Sequence, residues 1–399
     1  MFPRRSTEDQ KDLKEGLKVF TWTMKTSKLI GLWPLAPNNF VFVITFVYFS
    51  TFMILEYMDL FFSITDIDQV LNNLFVNLTF THIFIRGLLL KRHINKLGGV
   101  IEEMIQDFNV KTFKQSSEVK VFMSYINSAR FFVKFTIIFM IMSIYPYFLK
   151  PLSAEQDLGK ANQNTNETIE YILPYPTYVV FKINDSNTYM WTYMAYVPIT
   201  YIHGCCHATV ECTLITLIFY LRAKLVILAE RINELNSIAG VWKIELENII
   251  TEHSKILKFG GTVIDAYSSS LMVYMLSASI LVCIIGYKIL LNFLTGPDSE
   301  VVQMVVYLCT TYLIISVFCV VSERLSAESN QISEAFWSCY WYDKPPKTVK
   351  NIIFCIARSQ TPLALKIGKF SYFGNDTLTV LTKTSMGYLS VLRHFLMTE

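Results

Sequence analysis

Residues Ala266–Tyr287, AYSSSLMVYMLSASILVCIIGY, run for twenty-two positions without a charged side chain. At 1.5 Å per residue such a run makes a helix of about 33 Å, enough to cross the ~30 Å hydrocarbon layer of a bilayer. Asn38–Leu55 and Val301–Ser322 are equally free of charge. In lipid the backbone polar groups of a segment must be satisfied within it, so each run reads as a membrane-spanning helix. Composition agrees. Apolar residues make up 52% of the 399 residues, charged residues 17%, and the mean hydropathy is +0.37, whereas soluble domains carry about 25% charge. A net charge of +3 without a basic patch excludes nucleic acid as a partner class.

Outward from these runs, spans are expected at 40–62, 69–90, 131–149, 190–221, 269–291, 301–322 and 376–394. The last is the weakest by hydropathy, because Asp376 and Lys383 interrupt it. Lysine and arginine set the orientation. The N-terminal segment and loops 91–130, 222–268 and 323–375 hold twenty-seven of them, against four in 63–68, 150–189, 292–300 and the C-terminal end. The expected fold is therefore all-α and polytopic, with seven transmembrane helices and a cytoplasmic N-terminus. No short apolar region with a cleavage site precedes Phe40, so span one is read as an uncleaved anchor.

The sequons at Asn166 and Asn184 fall in external loop 150–189 and are the candidate glycosylation sites. Ala223–Ser237 and Glu323–Tyr342 continue spans four and six at helical spacing, the latter until Pro345-Pro346. These extensions must bury their apolar stripes below the bilayer. The eight cysteines lie in apolar or inner stretches and read as small hydrophobes rather than as disulfide partners.

Candidate chemistry is sparse. His203, His207 and Glu211 share one helical face of span four at i, i+4, i+8 spacing. They read as polar groups facing a cavity or neighbouring helix, with a metal site as the alternative. Arg86 and Lys134 sit near inner span ends and read as snorkelling anchors, and Glu56 and Asp59 near an outer end as wet. Glu211 and Lys383 lie deeper and need partners or water. Lys383 stands among Thr379, Thr382, Thr384 and Ser385, so the seventh helix has a polar face suited to a water-filled path. No phosphate loop, metal-hydrolase helix or nucleophile–base pair appears, so no enzyme and no cofactor is expected. Receptor, channel and transporter remain. A G-protein-coupled receptor is disfavoured by the inverted topology and by the lack of Asn-Pro-x-x-Tyr in span seven. A transporter is disfavoured by the lack of inverted repeats.

The last eighty residues carry an ordered series: Ser322–Ser329 (SERLSAES), Ala335–Pro345 (AFWSCYWYDKP), Ala357–Pro362 (ARSQTP), Gly368-Lys369-Phe370 and Lys383–Arg393 (KTSMGYLSVLR). This series resembles the C-terminal signature of insect odorant receptors. The resemblance implies a tetramer of tuning subunits and a shared co-receptor in the plasma membrane of sensory dendrites, opening a cation pore when a small volatile binds. The loop 222–268 lacks the co-receptor's long insertion, which implies a tuning subunit. The implied organisation is a cytoplasmic segment 1–39, helices one to six over 40–322, an anchor over 323–375 where most subunit contacts occur, and a pore-lining helix over 376–399. It places the gate on Val391, with His394, Gly387 and Lys383 along the same helix. It places the ligand in the outer halves of spans two, three, four and six. There the matching residues are Phe75, Thr79, Phe139, Met142, Ser143, Tyr196, Ile199, Thr200, His203, Tyr307 and Thr311.

Overall fold

The computed structural model describes residues 3–161, 173–183, 185–235, 242–295 and 299–398, and the side chains of 3–6, 68, 143–161, 292–295, 299–300, 303 and 391–398 lie outside the described set. Among the described residues eleven α-helices run in chain order: α1 Pro3–Gly16, α2 Phe20–Leu29, α3 Asn39–Phe62, α4 Ile67–Arg92, α5 Ile94–Gln106, α6 Ser116–Ala161, α7 Ser186–Glu234, α8 Trp242–Thr295, α9 Ser299–Ser338, α10 Pro346–Ser359 and α11 Asn375–Thr398. A short antiparallel hairpin, β1 Lys366–Ile367 and β2 Ser371–Tyr372, precedes α11.

Local chemistry sets the helix ends. The Asn38 side chain accepts from the backbone N–H of Phe40 and Val41, both at 3.1 Å, and starts α3. Asp185 does the same for α7 through Thr188 at 3.0 Å. Pro346 opens α10, where a missing N–H costs nothing. Gly368 turns the hairpin at φ +60°, a conformation that other residues adopt only with strain. Its N–H donates to the Ser268 carbonyl at 3.0 Å, and the Ser268 hydroxyl donates to its carbonyl at 2.7 Å, docking the hairpin on α8.

Among the described residues six helices are long and apolar enough to cross a membrane: α3, α4, α6, α7, α8 and α9. At 49 and 54 residues, α7 and α8 are about 73 and 81 Å long, more than twice the hydrocarbon thickness. Their excess extends beyond a hydrocarbon layer of that thickness. The central helix is α7, buried without interruption from Ala208 to Leu225 and packed against α2, α3, α4, α6, α8 and α9. In contrast α3 buries one stripe, Phe46, Phe49, Phe52 and Glu56, and turns Phe40, Val43, Val47 and Phe61 outward toward lipid. Helices approach closely where Gly87 removes a side chain. A Cβ there would stand 2.6 Å from Phe46 Cζ and 2.7 Å from Cys206 Sγ.

Ion pairs tie the inner bundle. Arg231 grips Glu118 through Nε and Nη2, each at 2.7 Å, and reaches Glu252 at 2.6 Å. Arg222 forks onto Glu328 at 2.8 and 2.9 Å, and Lys224 meets Asp107 at 3.0 Å. The eight cysteines are free thiols. Outside the spans, burial pushes the Cys355 thiol up to about 11, so it packs as an apolar group.

Candidate functional site

A cavity of about 70 Å³ lies between α4, α6, α7, α8 and α9. Helix α4 contributes Phe75, Val76, Thr79 and Phe80, α7 contributes His203 and His207, and α9 contributes Tyr307, Thr310, Thr311 and Ile314. Thr136 and Met140 of α6 and Tyr274 of α8 complete the helical wall. Tyr175, from the segment between α6 and α7, completes the lining. That segment is pinned by the Tyr178 N–H, which donates to the Leu55 carbonyl at 3.1 Å. Thr177 lies beside it, hydrogen-bonded to the Tyr196 hydroxyl.

The walls are built from rings in contact. Phe75 meets Tyr307 edge-on at 5.2 Å, Phe80 stacks on the His203 imidazole at 4.4 Å, and Tyr175 meets Phe80 at 5.2 Å. Thr79 and Thr310 turn their hydroxyls to their own helices, donating to the Phe75 and Val306 carbonyls at 2.8 and 2.9 Å. The cavity is below the usual range of about 300–1,000 Å³ for ligand sites. An occupant larger than the cavity must therefore displace these rings.

Inward of the cavity, Arg86 Nη1 meets Glu211 Oε1 at 2.5 Å, with both side chains essentially inaccessible to solvent. Arg86 also donates from Nε to Ser270 Oγ at 3.0 Å and lies 4.7 Å over the Tyr274 ring. The snorkelling expected of Arg86 is thus corrected. Its guanidinium turns into the bundle because Glu211 offers a partner there, which outweighs a longer reach to water. Glu56 is likewise not wet. It is 1% exposed, while Asp59 accepts from Asn73 at 3.0 Å. His203 and Glu211 are committed to Phe80 and Arg86, and among the described residues no group of His, Cys, Asp and Glu comes together to hold a metal ion.

Of the expected ligand residues, Phe75, Thr79, His203, Tyr307 and Thr311 come together on this cavity. Tyr196, Ile199 and Thr200 are buried beside it without lining it. Phe139 packs on Phe135 at 4.4 Å, Met142 is 58% exposed, and the Ser143 side chain lies outside the described residues. Tyr274 and Tyr175 were not singled out in the sequence. A tyrosine in an uncharged span and another in a polar loop carry no signal that they converge. Asn166 and Asn184 lie outside the described residues, as do the side chains of Val391 and His394.

The second feature is α11. It buries one stripe, Thr377, Leu381 and Ser385, with Leu389 resting where Gly286 leaves room, 3.1 Å from a Cβ placed there, and the Thr382 hydroxyl meets that of Tyr312 at 3.3 Å beside it. Ser385 Oγ donates to the Ser279 carbonyl at 3.3 Å. Thr379, Thr382, Lys383, Thr384 and Gly387 are exposed.

The sequence profile described as 7tm Odorant receptor matches residues 66–386. Odorant receptor 13a of Drosophila melanogaster is 24% identical over 243 residues, 55% of this chain and 57% of that protein. Odorant receptor 85b of the same species is 23% identical over 55% of this chain and 56% of that protein. The chain thus spans little more than half the length of these relatives. The odorant receptor coreceptor of Anopheles gambiae is 22% identical over 36% of this chain and 30% of that protein. Among solved structures, the olfactory receptor OR5 of Machilis hrabei in complex with eugenol superposes with a TM-score of 0.72 at 19% identity. The superposition covers 96% of this chain and all of that one, which is a likeness of fold.

Proposed function

The chain belongs to the 7tm odorant receptor family of membrane-spanning receptors, and from that premise we propose that it is the odorant-tuning subunit of a ligand-gated cation channel formed with a co-receptor. The observation that carries the reading is α11. A helix that packs along one stripe and leaves Thr379, Lys383 and Gly387 uncovered cannot stand alone in lipid, and a water-filled path shared with other subunits accommodates it. It would be the seventh crossing, with the N-terminus cytoplasmic. Val391, one turn beyond Gly387, would be the apolar gate, with His394 outside it.

Two further features support the reading. The enclosed aromatic cavity suits a small, weakly polar volatile. The end of α9 and the segment that follows it expose Trp337, Phe354 and Phe370 at 67, 73 and 87%, an apolar surface that would lie below the bilayer and invites coverage by neighbouring subunits. Segment 323–375 would then be the assembly anchor. Because the cavity is small, a ligand that spreads its walls binds the spread conformation better. Opening requires that difference in affinity rather than tight binding alone. The glycans would sit on Asn166 and Asn184, and the assembly in the dendritic plasma membrane.

The test is current recorded from cells expressing the chain with and without a co-receptor while a volatile panel is applied. Cation current is expected only from the pair. Responses that persist without a co-receptor and require a G protein would sink the proposal, and so would an N-terminal tag accessible from outside.

A further inference from the structure

One wall of the cavity holds more unused polar capacity than an apolar site needs. His203 Nε2, His207 Nδ1 and the Tyr274 hydroxyl are buried and have no hydrogen-bond partner, although all three residues line the cavity. Behind them Arg86 Nη2, Glu211 Oε2 and His82 Nε2 are also buried and unpartnered. Such groups cost free energy unless something satisfies them. His207 and Tyr274 adjoin the Arg86–Glu211 pair at one end. His203 and His207 are one turn apart on α7, His207 Nδ1 stands 4.0 Å from Glu211 Oε1, and Tyr274 carries Arg86 on its ring face. The opposite walls, Phe75, Val76 and Ile314, are apolar.

We propose that this end is a hydrogen-bonding subsite for the hydroxyl of a neutral, compact alcohol or phenol, whose hydrocarbon body fills the apolar remainder. The proposal rests on the cavity being the odorant site. A hydroxyl both donates and accepts at one atom, which suits a cavity lined by a phenolic O–H and imidazole nitrogens. A hydrocarbon leaves all three groups unsatisfied. The charge of Arg86 is already cancelled by Glu211 at 2.5 Å, so an ionised ligand would enter as an unpaired charge in a membrane interior. The subsite therefore selects against carboxylates and ammonium ions as well as against hydrocarbons.

The test compares an alcohol, a carboxylate and a hydrocarbon of one carbon skeleton, short aliphatic or benzenoid. Thermal stabilisation is read on the purified full-length chain, and evoked current in cells co-expressing the co-receptor. The alcohol is expected to half-saturate about a hundredfold below the hydrocarbon, since a site built to bond a hydroxyl rejects the analogue lacking it. Tyr274→Phe, which keeps the ring over Arg86, is expected to shrink that ratio about tenfold. A hydrocarbon or carboxylate as effective as the alcohol, no stabilisation by any of the three, or a ratio unmoved by Tyr274→Phe overturns the subsite and leaves those atoms to buried water. Alcohol-selective stabilisation without current upholds the subsite and sinks the channel reading. Current without alcohol preference does the reverse.

Discussion

Arg86 and Glu211 meet in the middle of the bundle, 1% and 0% exposed, and each makes the other tolerable there. Removing one partner strands the other as a buried charge, which in proteins costs roughly 3–5 kcal/mol, whereas removing both costs far less. Arg86→Ala is therefore expected to lower the melting temperature of the purified chain steeply, and Arg86→Ala with Glu211→Ala to recover part of the loss. A double variant as unstable as the sum of the singles would show that the pair is not coupled. The same logic recurs in Arg231, which bridges Glu118 and Glu252. Arg231→Met is expected to loosen the α6–α7–α8 junction, read as faster hydrogen exchange in α6 around Glu118. The spans' own residues announced neither pair, because Arg86 and Glu211 are 125 positions apart and hydropathy scores each only as an interruption.

Helices meet at distances their smallest residues permit. Gly87→Ala would press a methyl against Phe46 and Cys206, and overpacking of this kind costs about 1–3 kcal/mol. A melting curve on that variant checks it, and an unchanged curve would mean α3 shifts freely. The contact stripe of α11 predicts a second pattern. With cysteines introduced singly, positions 379, 383 and 387 are expected to react with a water-soluble thiol reagent in the assembled channel, and 381 and 385 to resist it. Uniform protection along the helix would count against a water-filled path. At Val391, a Ser substitution is expected to raise the ligand-free leak current severalfold, as loss of an apolar constriction admits water.

For the molecule as a whole, the exposed Phe354 and Phe370 separate assembly from folding. Both touch little within the chain, so Phe354→Asp with Phe370→Asp should leave single-chain stability within about 0.5 kcal/mol. The size of the complex with a co-receptor, measured in detergent, should fall, and with it the current. An intact complex in that variant would move the main contacts elsewhere, with α11 as the remaining uncovered surface.

The crossings at α3, α4 and α7 to α9 and their extension below the membrane were legible in the chain, because bilayer thickness turns a run of uncharged residues into a length requirement that few alternatives meet. The odorant-receptor series in the last eighty residues was legible for another reason: its blocks keep their order and spacing. Which way each helix turns was not legible. Phe139 and Met142 read as pocket residues, yet Thr136 and Met140 of the same helix face the cavity, since an apolar helix in lipid carries no moment strong enough to orient it. Glu56 and Arg86 read as wet or snorkelling and are buried, because whether a charge finds water or a partner depends on neighbours distant in the chain. Rotation, pairing and the convergence of Tyr175, His203 and Tyr274 on one cavity are set by packing between helices, and only the folded bundle decides them.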